Sequence, residues 1–92
     1  MRTLLDRARD FLARRRTAYV KTFMNPMGQE VLVDLSQFCR ANQSTFHPDA
    51  RAHAVAEGRR EVWLRIAQHL NLTDDQLWQI YGRANQPRNE DG

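Results

Sequence analysis

The stretch Pro48–Leu70, PDARAHAVAEGRREVWLRIAQHL, decides the fold class of this 92-residue chain. Its large apolar residues recur every one or two helical turns, which is typical of one face of an α-helix. No window of the chain alternates polar and apolar residues over the length of a strand. The stretch therefore predicts a long amphipathic helix, with Pro48 near its first turn. The predicted apolar stripe consists of Val55, Val62, Ile66 and Leu70, widened by Ala52, Trp63 and Ala67.

Three further helices are predicted around this one. A basic first helix ends at Asn25-Pro26, because the residue before a proline leaves the helical region. A second follows Gly28. A fourth begins with the capping box of Thr73 and ends at Gly82. The apolar faces of the first and second helices are predicted to be Leu4, Leu5, Ala8, Phe11 and Leu12, then Val31, Leu32, Leu35, Phe38 and Cys39.

The sequence thus predicts an all-α fold, a small bundle of three to four helices. Residues 1–24 form a basic amphipathic N-terminal helix, 25–82 a compact helical body, and 83–92 a disordered tail.

Two positions in the long helix break local rules. Gly58 lies in the helix interior, either as a tolerated glycine or as the site of a close helix crossing. Arg59 lies in the predicted apolar stripe, where a charge needs a partner or an interface. Three explanations stay open for Arg59: an ion pair with Asp34, a side chain that reaches out to solvent, or an intermolecular contact.

The first 23 residues carry seven positive and two negative charges, net +5, whereas the remaining residues carry seven and nine, net −2. Arginine dominates, and its planar charged fork suits phosphate and carboxylate groups. Four interpretations stay open: a solvated helix face, phosphate-backbone binding, docking on an acidic protein, and a membrane-surface helix. The candidate binding residues are Arg2, Arg7, Arg9, Arg14, Arg15, Arg16 and Lys21.

No catalytic or cofactor-binding constellation is predicted. Cys39 and His47 are the only cysteine and histidine close in sequence, but Cys39 lies on an apolar stripe, where a free cysteine usually packs as a small hydrophobe. The histidines lack the spacing of a zinc site.

No apolar run approaches the roughly 18 residues of a membrane span, so integral membrane association is not expected. Trp63 and Trp78 are expected either in the core or as anchors of an interface.

The run Glu57-Gly58-Arg59-Arg60, together with a set of residues spread from Tyr19 to Leu70, forms a pattern that resembles a family of small tailed-bacteriophage proteins named after a Bordetella phage product. The most distinctive run is Glu57-Gly58-Arg59-Arg60, which contains both rule-breaking positions. Neither the arginine-rich start nor the tail is covered by the resemblance. The other matching residues are Tyr19, Phe23, Gly28, Val31, Leu32, Asp34, Leu35, Phe46, Glu61, Val62, Ile66 and Leu70.

The resemblance implies a short phage-encoded domain with no established enzymatic activity. It brings no catalytic residues, and Gly58 and Arg59 carry over as fold or interface residues. The predicted function is a non-enzymatic accessory protein of the virion or its assembly, in the head or tail region or on packaged DNA. The alternative is a phage nucleic-acid-binding or regulatory protein that acts on host machinery.

The expected partners are phage structural proteins or packaged DNA, bound through the basic helix. The expected location is the host cytoplasm. Incorporation into the virion and homo-oligomerisation are left open.

Overall fold

Each of the four helices begins at a polar side chain that accepts a hydrogen bond from a backbone N–H of the first turn. These caps are Thr3, Asn25, Asp49 and Thr73. The computed structural model describes residues 3–86, and it confirms the all-α fold, with no strand in that range. The helices are α1 (Leu4–Phe23), α2 (Pro26–Phe38), α3 (Ala50–Leu70) and α4 (Asp74–Ala84).

Asn25 joins α1 to α2 by capping both helices. Its amide nitrogen donates to the carbonyl oxygens of Lys21 (2.8 Å) and Thr22 (3.2 Å), while its amide oxygen accepts from the Gly28 N–H (2.8 Å). With Asn25 as the cap, Pro26 takes the first helical position, where a missing N–H costs nothing. The expectation that α2 starts after Gly28 is therefore wrong, because Gly28 is a buried residue inside the helix.

Of the two interpretations of Gly58, the structure agrees with the tolerated glycine, and a close helix contact is found instead at Gly28. A Cβ atom on Gly28 would stand 2.2 Å from the Thr22 carbonyl oxygen and 2.6 Å from the Phe23 Cα. At Gly58 a Cβ would meet nothing within 4 Å, so this glycine lies on an open helix surface. Only a glycine lets the start of α2 approach the end of α1 this closely.

The core combines buried side chains of α2 and α3 with the residues that follow α2, and α1 packs against both helices while α4 packs against α2. Trp63 is its largest member, only 1 % exposed, and its indole N–H donates to the Tyr81 hydroxyl at 3.1 Å. Trp63 is therefore a core residue, whereas Trp78 is 66 % exposed. The buried core cluster is Leu32, Cys39, Ala41, Trp63, Ile66 and Leu70.

The buried face of α3 is rotated from the predicted stripe. Ile66 and Leu70 are buried as expected, but Val55 and Val62 are more than half exposed. Arg59 lies between these two valines and is exposed as well, so its charge remains hydrated. The buried edge runs through Trp63 and Ala67, which the sequence placed at the side of the stripe, and the Trp63 ring contacts Tyr81 of α4.

The predicted capping box at the start of α4 is present. The Thr73 hydroxyl accepts from the Gln76 N–H (3.2 Å), and the Gln76 side chain accepts from the Thr73 N–H (2.9 Å). The predicted end at Gly82 is wrong, since the helix continues through the buried Ala84. Of the predicted tail, residues 87–92 lie outside the described residues.

Candidate functional site

The N-terminal half of α1 extends away from the core. The α1 residues that pack against the core are Tyr19, Val20 and Phe23, and no residue of the helix is fully buried. The molecule measures 55 × 36 × 24 Å, with a radius of gyration of 16.4 Å against roughly 12 Å for a compact domain of this length. We call residues 4–16 the arm.

The predicted apolar face of the arm exists but has no cover within the structure. Leu4, Leu5, Phe11 and Leu12 are between 52 % and 82 % exposed. These four side chains share one side of the helix, since their spacing repeats with the helical turn. The arm therefore presents an amphipathic surface that no other part of the described chain covers.

Arginines flank this apolar face on both edges. At about 100° per residue, Arg7 and Arg14 follow one edge, and Arg9 and Arg16 follow the other. All four are exposed. Arg15 lies within the apolar face, half-buried, with its guanidinium 5.3 Å from the centre of the Phe11 ring.

The two remaining candidate binding residues of the basic first helix, Lys21 and Arg2, do not belong to the arm. Lys21 is exposed in the last turn of α1, where a positive charge complements the helix dipole. Arg2 lies outside the described residues.

Asp6 takes part in a capping box with Thr3 that was not predicted from the sequence. The Thr3 hydroxyl accepts from the Asp6 N–H at 3.1 Å, and the Asp6 carboxylate accepts from the Thr3 N–H at 3.3 Å. The start of the arm is thus a properly capped helix.

Arg59 makes a contact that the sequence did not predict. Its guanidinium lies over the Phe38 ring, 4.6 Å from the ring centre, which is a cation–π geometry. The Arg59–Asp34 ion pair stays a prediction.

A second surface feature lies between the end of α2 and the beginning of α3. We call this opening the α2–α3 cleft; Arg40, Arg51 and Arg59 line it together with Phe38 and Phe46. Sequence reasoning missed Arg40 and Arg51, which are far from the basic first helix in sequence. Their convergence depends on the path of the loop between the two helices.

Cys39 also lines this cleft, at the C-terminal end of α2. Burial raises the pKa of its thiol above the ordinary value, and the nearby Arg59 charge offsets part of that rise. The thiol therefore stays protonated at neutral pH, whereas a nucleophilic cysteine needs its thiolate. This agrees with its interpretation as a core residue.

Metal-binding groups and membrane-spanning helices are absent from residues 3–86. No three His, Cys, Asp or Glu side chains come together as a possible metal-binding group there. None of the helices in that range has the length and apolar character to cross a membrane.

Comparison with protein families identifies what the body of the fold is similar to. Residues 19–81 match the model of the Bbp19-like phage proteins, which covers the body of the fold through most of α4 and begins where α1 first contacts the core. No curated protein matches the chain, and no solved structure does. The resemblance noted over Tyr19–Leu70 is thereby confirmed and extended to Tyr81. Since the match spans more than half of the 92 residues, the chain belongs to the Bbp19-like phage protein family.

Proposed function

We propose that this protein is a non-enzymatic accessory protein of the phage virion or of its assembly, and that it docks through the arm. The partner is a phage structural protein with an acidic, partly apolar groove. On this proposal the protein works in the host cytoplasm during assembly and is carried into the particle with its partner.

The exposed arm is the observation that supports the proposal. Four large apolar side chains on one helix face remain outside the core, and contiguous exposed apolar surface of this kind marks interaction sites. The family match begins at Tyr19, so the arm lies outside the matched residues. A helical segment with an uncovered apolar face fits a docking element better than it fits a part of the core.

The arrangement of the arm favours a protein groove over a phosphate backbone. A DNA-binding helix needs its cations on the contacting face, whereas here Leu5 and Leu12 lie between the two arginine edges. An amphipathic helix that binds in a groove buries its apolar face and pairs its flanking cations with carboxylates at the rim. Packaged DNA remains the second candidate partner, supported by the arginines alone.

Two double variants of the full chain test the proposal in particles of the encoding phage. Leu5→Gln with Leu12→Gln removes apolar contact and keeps helix propensity and charge. Arg7→Gln with Arg14→Gln removes one charged edge. Because all four side chains are exposed, we expect each variant to keep its melting temperature, within about 0.5 kcal/mol of unfolding free energy.

The two partner classes give different results. Docking in a protein groove predicts that the leucine variant loses its place in particles or in assembly intermediates. Binding to DNA predicts that the leucine variant is retained and the arginine variant is lost. It also predicts that affinity for duplex DNA falls about 150-fold between about 50 and 200 mM salt, if about four phosphates are neutralised. Retention of both variants would contradict docking through the arm.

The alternative function, a nucleic-acid-binding or regulatory protein that acts on host machinery, makes a separate prediction. In that case the chain is recovered from infected cells with host proteins or nucleic acid and is missing from all assembly intermediates. A pull-down with and without nuclease distinguishes a protein partner from a nucleic-acid partner.

A further inference from the structure

The α2–α3 cleft has the dimensions of a small-ligand site. Its volume is about 580 Å³, within the range of about 300–1,000 Å³ that is typical of ligand pockets. Three arginines reach it from three places: Arg40 from the end of α2, Arg51 from the first turn of α3, and Arg59 from two turns further on. Among the lining residues that the structure describes, Asp49 is the single carboxylate, and it is engaged in capping α3. The cleft is therefore positively charged.

Aromatic rings accompany these charges. Phe38 and Phe46 line the cleft and are 58 % and 77 % exposed. Arg59 already lies over the Phe38 ring and is an exposed residue. A planar ligand group can therefore stack on an open ring or on the outer side of the Arg59 guanidinium.

Side chains of α3 hold the loop that forms the wall of the cleft. Arg60 donates to the carbonyl oxygens of Ala41 (3.0 Å) and Gln43 (3.3 Å). His53 contacts the Thr45 carbonyl oxygen through Nδ1 at 2.9 Å, and the Thr45 hydroxyl donates to a Glu57 carboxylate oxygen. Because the loop is fixed by these bonds, little ordering is needed when a ligand binds.

Arg40 has a backbone conformation that normally belongs to glycine. Its φ is 49°, in the left-handed region, at the residue that follows the cap of α2. The Arg40 N–H bonds to the Gln37 carbonyl and the Ala41 N–H bonds to the Ser36 carbonyl, the pattern in which glycine is the usual residue. An arginine in this conformation is strained, and such strain concentrates at functional sites.

We propose that the α2–α3 cleft binds a nucleotide unit, with its phosphate held by the arginines and its base stacked on the Phe38–Arg59 pair or on Phe46. Guanidinium groups bind phosphate through paired N–H donors, and aromatic rings and arginine planes are the usual stacking partners of bases. An acidic peptide would use the charges but would leave two exposed rings without a planar partner. The nucleotide unit is either a free nucleotide or one residue of a single strand. This site is independent of docking through the arm.

The test is a titration of the full chain followed by amide chemical shifts and calorimetry. The probes are ATP, adenosine, inorganic phosphate, a short single-stranded oligothymidine, and a peptide of alternating aspartate and phenylalanine. The oligothymidine is also titrated into the Arg7→Gln, Arg14→Gln variant, which lacks one charged edge of the arm, so that a contribution of the arm appears as a difference between the two titrations. We expect saturable binding of ATP or of oligothymidine, with shifts at Phe38 and Phe46, and weaker binding of adenosine and phosphate alone.

Binding of ATP identifies a free nucleotide as the source, and binding of oligothymidine alone identifies a strand. Failure of both probes overturns the proposal. So does phosphate binding as tight as ATP binding, which would show a simple anion site, or tighter binding of the peptide.

Three variants connect binding to the cleft. Arg59→Gln is expected to weaken binding at least about tenfold, because a charge-assisted contact and a stacking plane are lost. Arg40→Gly and Asn71→Gly are a matched pair, since Asn71 is the other left-handed residue, with φ 55°. Both are expected to keep or raise the melting temperature, but only Arg40→Gly weakens binding. Undiminished binding by Arg59→Gln and Arg40→Gly would overturn the assignment.

Discussion

The same substitution should have opposite effects at two glycines of this protein. Replacing Gly28 by alanine places a methyl group 2.2 Å from the Thr22 carbonyl oxygen and 2.6 Å from the Phe23 Cα. Both obstacles are backbone atoms at the end of α1, so no side-chain rotation relieves the overlap. At Gly58 the added methyl meets nothing within 4 Å.

The expected free energies follow from these distances. Overpacking costs about 1–3 kcal/mol, and separation of the helices also weakens the Asn25 cap, worth about 1 kcal/mol. These costs add to about 2–4 kcal/mol, and the better helix propensity of alanine offsets about 0.8 kcal/mol, so we expect Gly28→Ala to lower the unfolding free energy by about 2 kcal/mol. Gly58→Ala should raise it by about 0.8 kcal/mol, because alanine is the better helix former and the site is open. For a chain of this size the melting temperatures should differ by about 12–20 °C.

Thermal and urea unfolding, followed by circular dichroism, measures both variants against the parent. Gly82→Ala, a third helical glycine with open space around its Cβ position, is the control for propensity alone and should resemble Gly58→Ala. Equal stability of Gly28→Ala and the parent would refute the close contact between α1 and α2. A destabilised Gly58→Ala would show that the crossing lies at that glycine after all.

Three other outcomes are expected. In urea unfolding, Trp63→Ala should lower the unfolding free energy by about 3–5 kcal/mol and Trp78→Ala by less than about 1 kcal/mol, because of these two residues only Trp63 is buried. Similar losses in the two variants would contradict the placement of Trp63 in the core and of Trp78 at the surface. Cys39 should react with iodoacetamide more slowly than a free thiol at mildly alkaline pH, because burial raises the pKa of its thiol. Arg59→Gln should slow this reaction further, because it removes a charge that lowers the pKa of Cys39. A faster reaction of Cys39 in the Arg59→Gln variant than in the parent would contradict this. Asp34→Ala should lower the melting temperature if Asp34 pairs with Arg59, and an unchanged melt would exclude the pair.

The sequence predicted correctly those features of a helix that depend only on residues close to one another in the chain. The capping box at Thr73 and the helix break at Asn25-Pro26 depend on residues a few positions apart, and both were predicted from sequence. The cap at Thr3 follows the same rule with Asp6 as the partner, so its signal was present and was overlooked. The long helix from Ala50 to Leu70 was predicted for the same reason.

Predictions that depend on which neighbour a helix faces were less successful. Val55 and Val62 fit an apolar stripe as well as Trp63 does, and only the packing of α3 against its neighbours selects the buried face. One interpretation placed a close crossing at Gly58 because that glycine lies inside a helix, whereas Gly28 was placed before α2 and was not considered for this role. The cleft was missed because Arg40 follows α2 whereas Arg51 and Arg59 lie on α3, and these two parts of the chain meet only in the fold.

The function of the arm depends on what it contacts in the particle. The most direct measurement is quantitative cross-linking mass spectrometry of purified particles and assembly intermediates of the phage that encodes this chain. Our account predicts a fixed copy number in one of these samples, with cross-links from residues 4–16 to an acidic segment of a phage structural protein. Absence of the chain from particles and intermediates alike, or cross-links from the body alone, would contradict it.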